Sequence, residues 1–264
     1  MNAAPRVLLV DNGSLEPAST LQLRAIAAAL EKRLGTGRVE PVSLAHSTKI
    51  PTGELGGRPA ELFEAALERC VREGVSDVTV APLFIGPSLA LTRLLPSLIA
   101  QQPALHVRVA EPLQVPGATA LSTILTDLVR EQLPSPATRI AIIDHGSPAR
   151  AVAAARDEVA AQVRAQLGAT VREVTACSME RRAGAEYDFN EPLLETLLAR
   201  PEWQSGPVII ALLFIAPGRH AGPDGDVAQI CRRARSDFTG VKFTRVLGQH
   251  PRLVDLLAER CGAA

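Results

Sequence analysis

The sequence predicts an α/β protein of two tandem, pseudo-symmetric βα-repeat domains, each a four-stranded parallel sheet flanked by helices. Three observations predict it. Arg6-Val7-Leu8-Leu9-Val10-Asp11-Asn12-Gly13-Ser14 returns about 130 residues later as Arg139-Ile140-Ala141-Ile142-Ile143-Asp144-His145-Gly146-Ser147, a spacing that marks an internal duplication. Deeper in each half, Leu83-Phe84-Ile85-Gly86-Pro87-Ser88-Leu89-Ala90 is echoed by Leu213-Phe214-Ile215-Ala216-Pro217-Gly218-Arg219-His220. Short runs rich in Val, Ile and Leu also alternate with longer stretches of helical period, the pattern of a parallel sheet covered by helices.

In the first half, strands are expected at Val7–Val10, Val39–Leu44, Val78–Leu83 and Val107–Ala110. Helices are expected at Ser19–Leu34, Arg58–Glu73, Ala90–Ala100 and Ala118–Glu131. The second half repeats the order, with strands at Ile140–Ile143, Val171–Cys177, Val208–Phe214 and Val241–Val246. Its helices fall near Ala149–Leu167, Glu191–Ala199, Asp226–Ser236 and Arg252–Cys261. Between the halves, Leu133-Pro134-Ser135-Pro136-Ala137-Thr138 carries two prolines that no helix interior would accept. The expected domains are therefore residues 1–133 and 139–264.

The chain has 264 residues, 47% of them hydrophobic, enough to bury a sizeable core. Its 28 Lys and Arg balance 28 Asp and Glu, so no general electrostatic attraction to nucleic acid or to a membrane surface is expected. Cys70, Cys177, Cys231 and Cys261 form no C-x-x-C pair and read as reduced, mostly buried thiols. The first residues, Met1-Asn2-Ala3-Ala4-Pro5, show no basic segment followed by an apolar run. No stretch approaches the ~20 apolar residues of a membrane span. A cytoplasmic protein is expected. A duplicated chain can replace a dimer of single units, so monomer and homodimer both stay open.

Ligands of open parallel sheets sit beyond the carboxyl ends of the strands. His145 follows the first strand of the second half, Glu180 lies just past the second, and His220 follows the third, so the three are expected at one edge of one sheet. Two imidazoles and a carboxylate suit a divalent first-row metal, and Glu180 could equally accept protons. The bland alternatives are a loop histidine and a surface ion pair of Glu180 with Arg181 or Arg182. Asp226 reads as the N-cap of the helix that follows it, with Asp224 a solvated loop residue. The first half has Asn12 and Ala90 where the second has His145 and His220; His46 aligns with Ser178 and Thr48 with Glu180, so a single site is expected per chain. The glycines at 218, 222 and 225 match neither G-x-G-x-x-G nor a P-loop, which argues against a nucleotide. A hydrolase built on Ser147 and His145 lacks the strand–G-x-S-x-G–helix elbow.

Asp144-His145-Gly146-Ser147, Pro217-Gly218-Arg219-His220 and a glutamate after the second strand together resemble the sirohydrochlorin chelatases of the CbiX/SirB type, the class II tetrapyrrole chelatases, over essentially the whole chain. The resemblance implies a chelatase-like fold. It also implies a lyase-type activity, the insertion of Co²⁺, Fe²⁺ or Ni²⁺ into sirohydrochlorin or a related reduced tetrapyrrole. The metal is then a substrate, and no organic cofactor is expected. By position, His145, His220 and Glu180 match the family's catalytic and metal-binding residues. Because the macrocycle is a polycarboxylate, Arg219, Arg181 and Arg182 are candidates to bind it through bidentate hydrogen bonds. The segment Arg182–Asn190 reads as an extra loop against the family pattern. A non-catalytic tetrapyrrole or metal carrier on the same scaffold would use the same histidines.

Overall fold

The most apolar strand of each half becomes the centre of its sheet. A computed structural model describes residues 6–35 and 38–262; residues 1–5, where no leader is expected, lie outside the described residues. In the first half β1 (Arg6–Asp11), β2 (Arg38–Ser43), β3 (Asp77–Pro82) and β4 (His106–Val109) pair in the order β2-β1-β3-β4. In the second, β5 (Arg139–Asp144), β6 (Glu173–Ser178), β7 (Val208–Leu212) and β8 (Val241–Phe243) take the order β6-β5-β7-β8. Every pairing is parallel. All residues of β5 and β7 are buried, as continuous apolar runs in a sheet covered on both faces must be.

The helices of the first half are α1 (Pro17–Leu34), α2 (Phe63–Arg72), α3 (Leu95–Ile99) and α4 (Ala120–Arg130). Those of the second are α5 (Arg150–Leu167), α6 (Leu194–Leu198), α7 (Asp226–Ala234) and α8 (Arg252–Arg260). Two helices start later than periodicity suggests, for the same reason in both halves. The Ser43 N–H donates to the Glu61 carbonyl at 3.0 Å and the Ser178 N–H to the Pro192 carbonyl at 3.1 Å. Leu62 and Leu193 each form a parallel bridge beside those serines, so the residues before α2 and α6 are held extended along the edge strand. The expected helix over Ala90–Ala100 begins instead as a π-helical turn, Ala90–Leu94, before α3. Pro96 has no N–H to donate to the Thr92 carbonyl, which removes one α-helical bond there.

Strand register corrects the alignment of the halves around the second strand. Asp11 pairs with Ser43 and Asp144 with Ser178, so Ser43 is the counterpart of Ser178. Two residues further on, Ala45 rather than Thr48 occupies the place of Glu180, and His46 that of Arg181. Short 3₁₀ turns fill this connection in the first half, where sequence alone gave no strand ladder to count from.

Sequence repeat and compact unit divide the chain differently. One unit runs to Leu113 and includes Pro251 onward; the other is Gln114–His250. The last helix of the first repeat, α4, thus packs against α5 and β7, and the last helix of the second, α8, against α1. The Arg33 guanidinium pairs with Asp255 at 3.0 Å beside the latter contact. Trp203, fully buried, anchors the core of the second unit with Leu194, Leu197 and Cys231. No helix among the described residues is long and apolar enough to cross a membrane.

Burial pushes the Asp11 carboxyl up to about 6, against the hydrogen bonds from Ser43 and the Gly13 N–H that favour its charged form. Its folded value lies above its unfolded one, so its contribution to stability is full below the ordinary carboxyl range and is lost as pH rises through about 6. Asp11→Asn, which keeps an acceptor for Gly13, is expected to stabilise the protein by about 2 kcal/mol at pH 8 and by little at pH 4. Urea denaturation at the two pH values measures this, and an equal shift at both would contradict it.

Candidate functional site

The site begins with a backbone constraint. After β5 the chain must reverse into α5, and Gly146 makes the turn with φ 93°, in the left-handed region that side chains disfavour. A Cβ there would lie 1.9 Å from the Glu180 carbonyl oxygen. The Asp144 carboxylate accepts the Gly146 N–H at 3.1 Å, and the Glu180 N–H donates to the His145 carbonyl at 3.2 Å. Glycine therefore lets the residues after β5 and β6 touch, and that contact brings His145 beside Glu180. Their side chains meet with Nε2 to Oε1 at 3.7 Å.

His220 arrives from the third strand on a loop folded back on the N-terminus of α7. The Asp226 and Val227 N–H groups donate to the carbonyls of Arg219 and His220 at 3.0 and 3.2 Å. A Cβ on Gly225 would sit 2.6 Å from the His220 carbonyl oxygen, so glycine is again what permits the approach. The imidazoles of His145 and His220 pack edge to face, ring centroids 4.8 Å apart. All three expected residues are thus brought together, in the continuous series Glu180, His145, His220, Asp226.

Asp226 is not the N-cap expected of it. Gly225 holds the cap position, and Asp226, the first helical residue, points its carboxylate at His220 Nδ1, 2.7 Å away. The helix N-terminus favours a negative charge there. Asp226 accepts the Nδ1 proton and turns Nε2 of His220 outward, the arrangement by which carboxylates orient ligating histidines. For His145, Nδ1 lies 3.2 Å from the Gly146 carbonyl, which can accept its proton, and Nε2 faces Glu180. A separation of 3.7 Å is too long for a hydrogen bond, and a cation held between the nitrogen and the carboxylate would interact favourably with both. Among the described residues, no three His, Cys, Asp or Glu side chains form a ready-made metal cluster. The site presents two packed imidazoles and an exposed carboxylate.

Glu180, whose side chain is 64% exposed, stands between two open depressions of about 240 Å³ each. Arg219 and Arg233 line one, and Arg181 and Arg182 line the other with His145. Arg182 lies over the Tyr187 ring at 5.9 Å, and Arg219 approaches Asp226 at 3.5 Å, each keeping an exposed guanidinium. Arg181 differs. Its guanidinium reaches Glu191 at 2.7 Å, Asp188 at 3.3 Å and the carbonyls of Arg182 and Gly184, so its hydrogen-bonding capacity is largely spent within its own loop. Arg233 escaped sequence reasoning because only the turn of α7 shows that it faces the same depression as Glu180. Ser147 Oγ accepts the Ala149 N–H at 3.1 Å, as an ordinary turn serine does. Cys177 and Cys231 are buried thiols, the first pushed well above its usual range and the second up to about 12, so neither offers a thiolate at neutral pH. The connection that contains Arg182–Asn190, from Ser178 to Leu193, is shorter than its counterpart from Ser43 to Leu62 in the first half.

The class defined is a duplicated α/β protein with an open histidine pair at the carboxyl edge of one sheet. The sequence model of the CbiX family matches residues 6–131 and again residues 139–264, and the chain belongs to that family. A comparison with curated protein sequences finds no match. Among solved structures, the chain is similar to SirB from Bacillus subtilis with Fe³⁺ at 15% identity and TM-score 0.72, covering 99% of this chain and 95% of that one. SirB of B. subtilis subspecies spizizenii in complex with cobalt gives 15% identity, TM-score 0.73 and coverage of 98% and 94%. CbiX, described as the terminal enzyme for biosynthesis of siroheme in denitrifying bacteria, gives 19% identity, TM-score 0.65 and 99% of both chains. At such identities the structural likeness establishes the fold, two four-stranded parallel sheets flanked by helices.

Because Gly146 combines positive φ with a filled space, Gly146→Ala is expected to cost about 3 kcal/mol. Gly35→Ala, at φ 69° with nothing within 4 Å of the new Cβ, is expected to cost only about 1 kcal/mol. Denaturant titration of the two variants checks the contrast, and equal costs would remove the steric account of the turn.

Proposed function

We propose that the protein is a chelatase that inserts a divalent ion, Co²⁺, Fe²⁺ or Ni²⁺, into sirohydrochlorin or a related reduced tetrapyrrole, in the cytoplasm. The observation that carries this reading is the series Glu180, His145, His220, Asp226, two packed imidazoles with a carboxylate at each end. Membership of the CbiX family and the metals named for the SirB structures support it.

Metallation must replace the ion's water ligands with ring nitrogens and remove two pyrrole protons. An incomplete protein shell favours the first requirement, because positions left open can pass from water to macrocycle. In this reading His145 and His220 hold the incoming ion through Nε2. Asp226 keeps His220 in the ligating tautomer, since its carboxylate accepts a hydrogen bond from the protonated Nδ1. Glu180 accepts a pyrrole proton and, being exposed, returns it to solvent; a histidine released by the departing ion accepts the second. Arg219, Arg182 and Arg233 line the two flanking depressions and would meet the carboxylates of the substrate; Arg181, tied within its loop, would shape the wall.

The test is anaerobic incubation of the protein with sirohydrochlorin and Co²⁺ or Fe²⁺, followed by the tetrapyrrole absorption change. His145→Ala and His220→Ala are each expected to lower the insertion rate about 100-fold, and Glu180→Gln by a similar factor. Asp226→Asn should weaken Co²⁺ binding about 10- to 100-fold. Variants within a few-fold of the parent would overturn the ligand assignment. Stoichiometric binding without turnover would make the protein a carrier.

A further inference from the structure

The two halves build the same strand-to-helix turn, and the molecule therefore contains its own control. In the first half Asp11 Oδ1 accepts the Gly13 N–H at 3.0 Å and Ser14 Oγ accepts the Glu16 N–H at 3.0 Å. In the second, Asp144 Oδ1 accepts the Gly146 N–H and Ser147 Oγ the Ala149 N–H, both at 3.1 Å. Each turn opens an 18-residue helix, and at the same position of those helices stand Leu23 and Arg156. Both are buried, 2% and 1% exposed. A buried guanidinium carries a desolvation cost that leucine does not, and the turn forms without it in the first half. The arginine therefore needs a reason outside the fold of the turn itself.

Its hydrogen bonds supply one. Nη1 donates to Ser178 Oγ, which in turn donates to Asp144 Oδ1 at 2.6 Å, and Nη1 itself lies 3.5 Å from that carboxylate. Nη2 donates to the Phe189 carbonyl at 3.1 Å, and Nη1 approaches the Asn190 carbonyl at 3.5 Å. Asn190, fully buried, then grips the catalytic turn from the other side. Its Oδ1 accepts the Ser147 N–H at 2.9 Å and its Nδ2 donates to the Ser147 carbonyl at 3.0 Å. One guanidinium thus joins the acid before His145 to the residue that clamps the backbone just after it. The first half, which lacks His145, Glu180 and His220, also lacks this arginine.

We propose that Arg156 is a positioning residue for His145, acting through Asp144 and Asn190 to hold the turn 145–147 against the wall formed by 187–190. Its consequence for turnover rests on the chelatase reading, whereas its effect on the turn does not. The test compares Arg156→Leu, the residue of the first half, with Asn190→Ala, which breaks the clamp and keeps the buried ion pair. Amide hydrogen exchange at Gly146 and Ser147 is expected to accelerate at least about tenfold in both, with the amides of β5 and β7 within about twofold of the parent. The insertion kcat should fall about 10- to 100-fold while KM for the tetrapyrrole stays within about threefold. Arg156→Lys, which keeps the charge without the planar fork, should restore only part of the loss. Unchanged exchange at Gly146 and Ser147 in the folded Asn190→Ala variant would overturn the proposal, as would a loss of kcat no greater than global destabilisation explains. If the parent protein inserts no metal, the functional reading fails, and the exchange data still decide the role of Arg156.

Discussion

The structure of the second half depends on one close approach, the α-carbon of Gly146 against the carbonyl of Glu180. A side chain at 146 would collide with that oxygen, and the two segments could not share the hydrogen bonds that join the ends of β5 and β6. His145 and Glu180 are neighbours because this contact exists, and His220 completes the group because β7 lies directly beside β5. The grouping of Glu180, His145 and His220 is thus a consequence of sheet order and one missing Cβ, with side-chain hydrogen bonds refining what the backbone has already brought together.

The same approach survives in the first half, where Gly13 stands against the carbonyl of Ala45. Both halves keep the backbone device, but Asn12, Ala45 and Ala90 occupy the places of His145, Glu180 and His220. Asp11 keeps its bond to the turn but has Leu23 where Asp144 has Arg156, and burial raises its carboxyl to about 6. A turn needed for folding persists with or without function, because breaking it costs stability in either case.

Electrostatic order in the site runs from the interior outward. Arg156 and Asp144 are buried and paired, Asp226 and His220 half-buried and hydrogen-bonded, and Glu180, Arg182, Arg219 and Arg233 exposed. The buried and half-buried groups fix the orientation of the two imidazoles, and the exposed ones face the solvent. In the proposed chelatase reading this grading would hold an ion without trapping it.

Much of this was legible in the chain. The repeat, the eight strands, the eight helices in outline and the convergence of His145, Glu180 and His220 follow from periodicity and from the rule that parallel sheets carry their sites at the carboxyl edge, which are local or topological regularities. Other features required the folded molecule. Asp226 read as a cap because a first-turn aspartate usually is one, and only the backward fold of its loop puts it on His220. The register of β2 and β6 showed that Ala45 is the counterpart of Glu180, since the connections that follow differ in length between the halves. Arg181 read as a substrate clamp, and tertiary contacts turned it onto Glu191 and Asp188. Sequence determined which residues could carry chemistry and at which edge, because that depends on strand order. The tertiary structure alone decided which atoms face each other, because hydrogen bonds between residues distant in the chain exist only once the sheets, turns and helices have met.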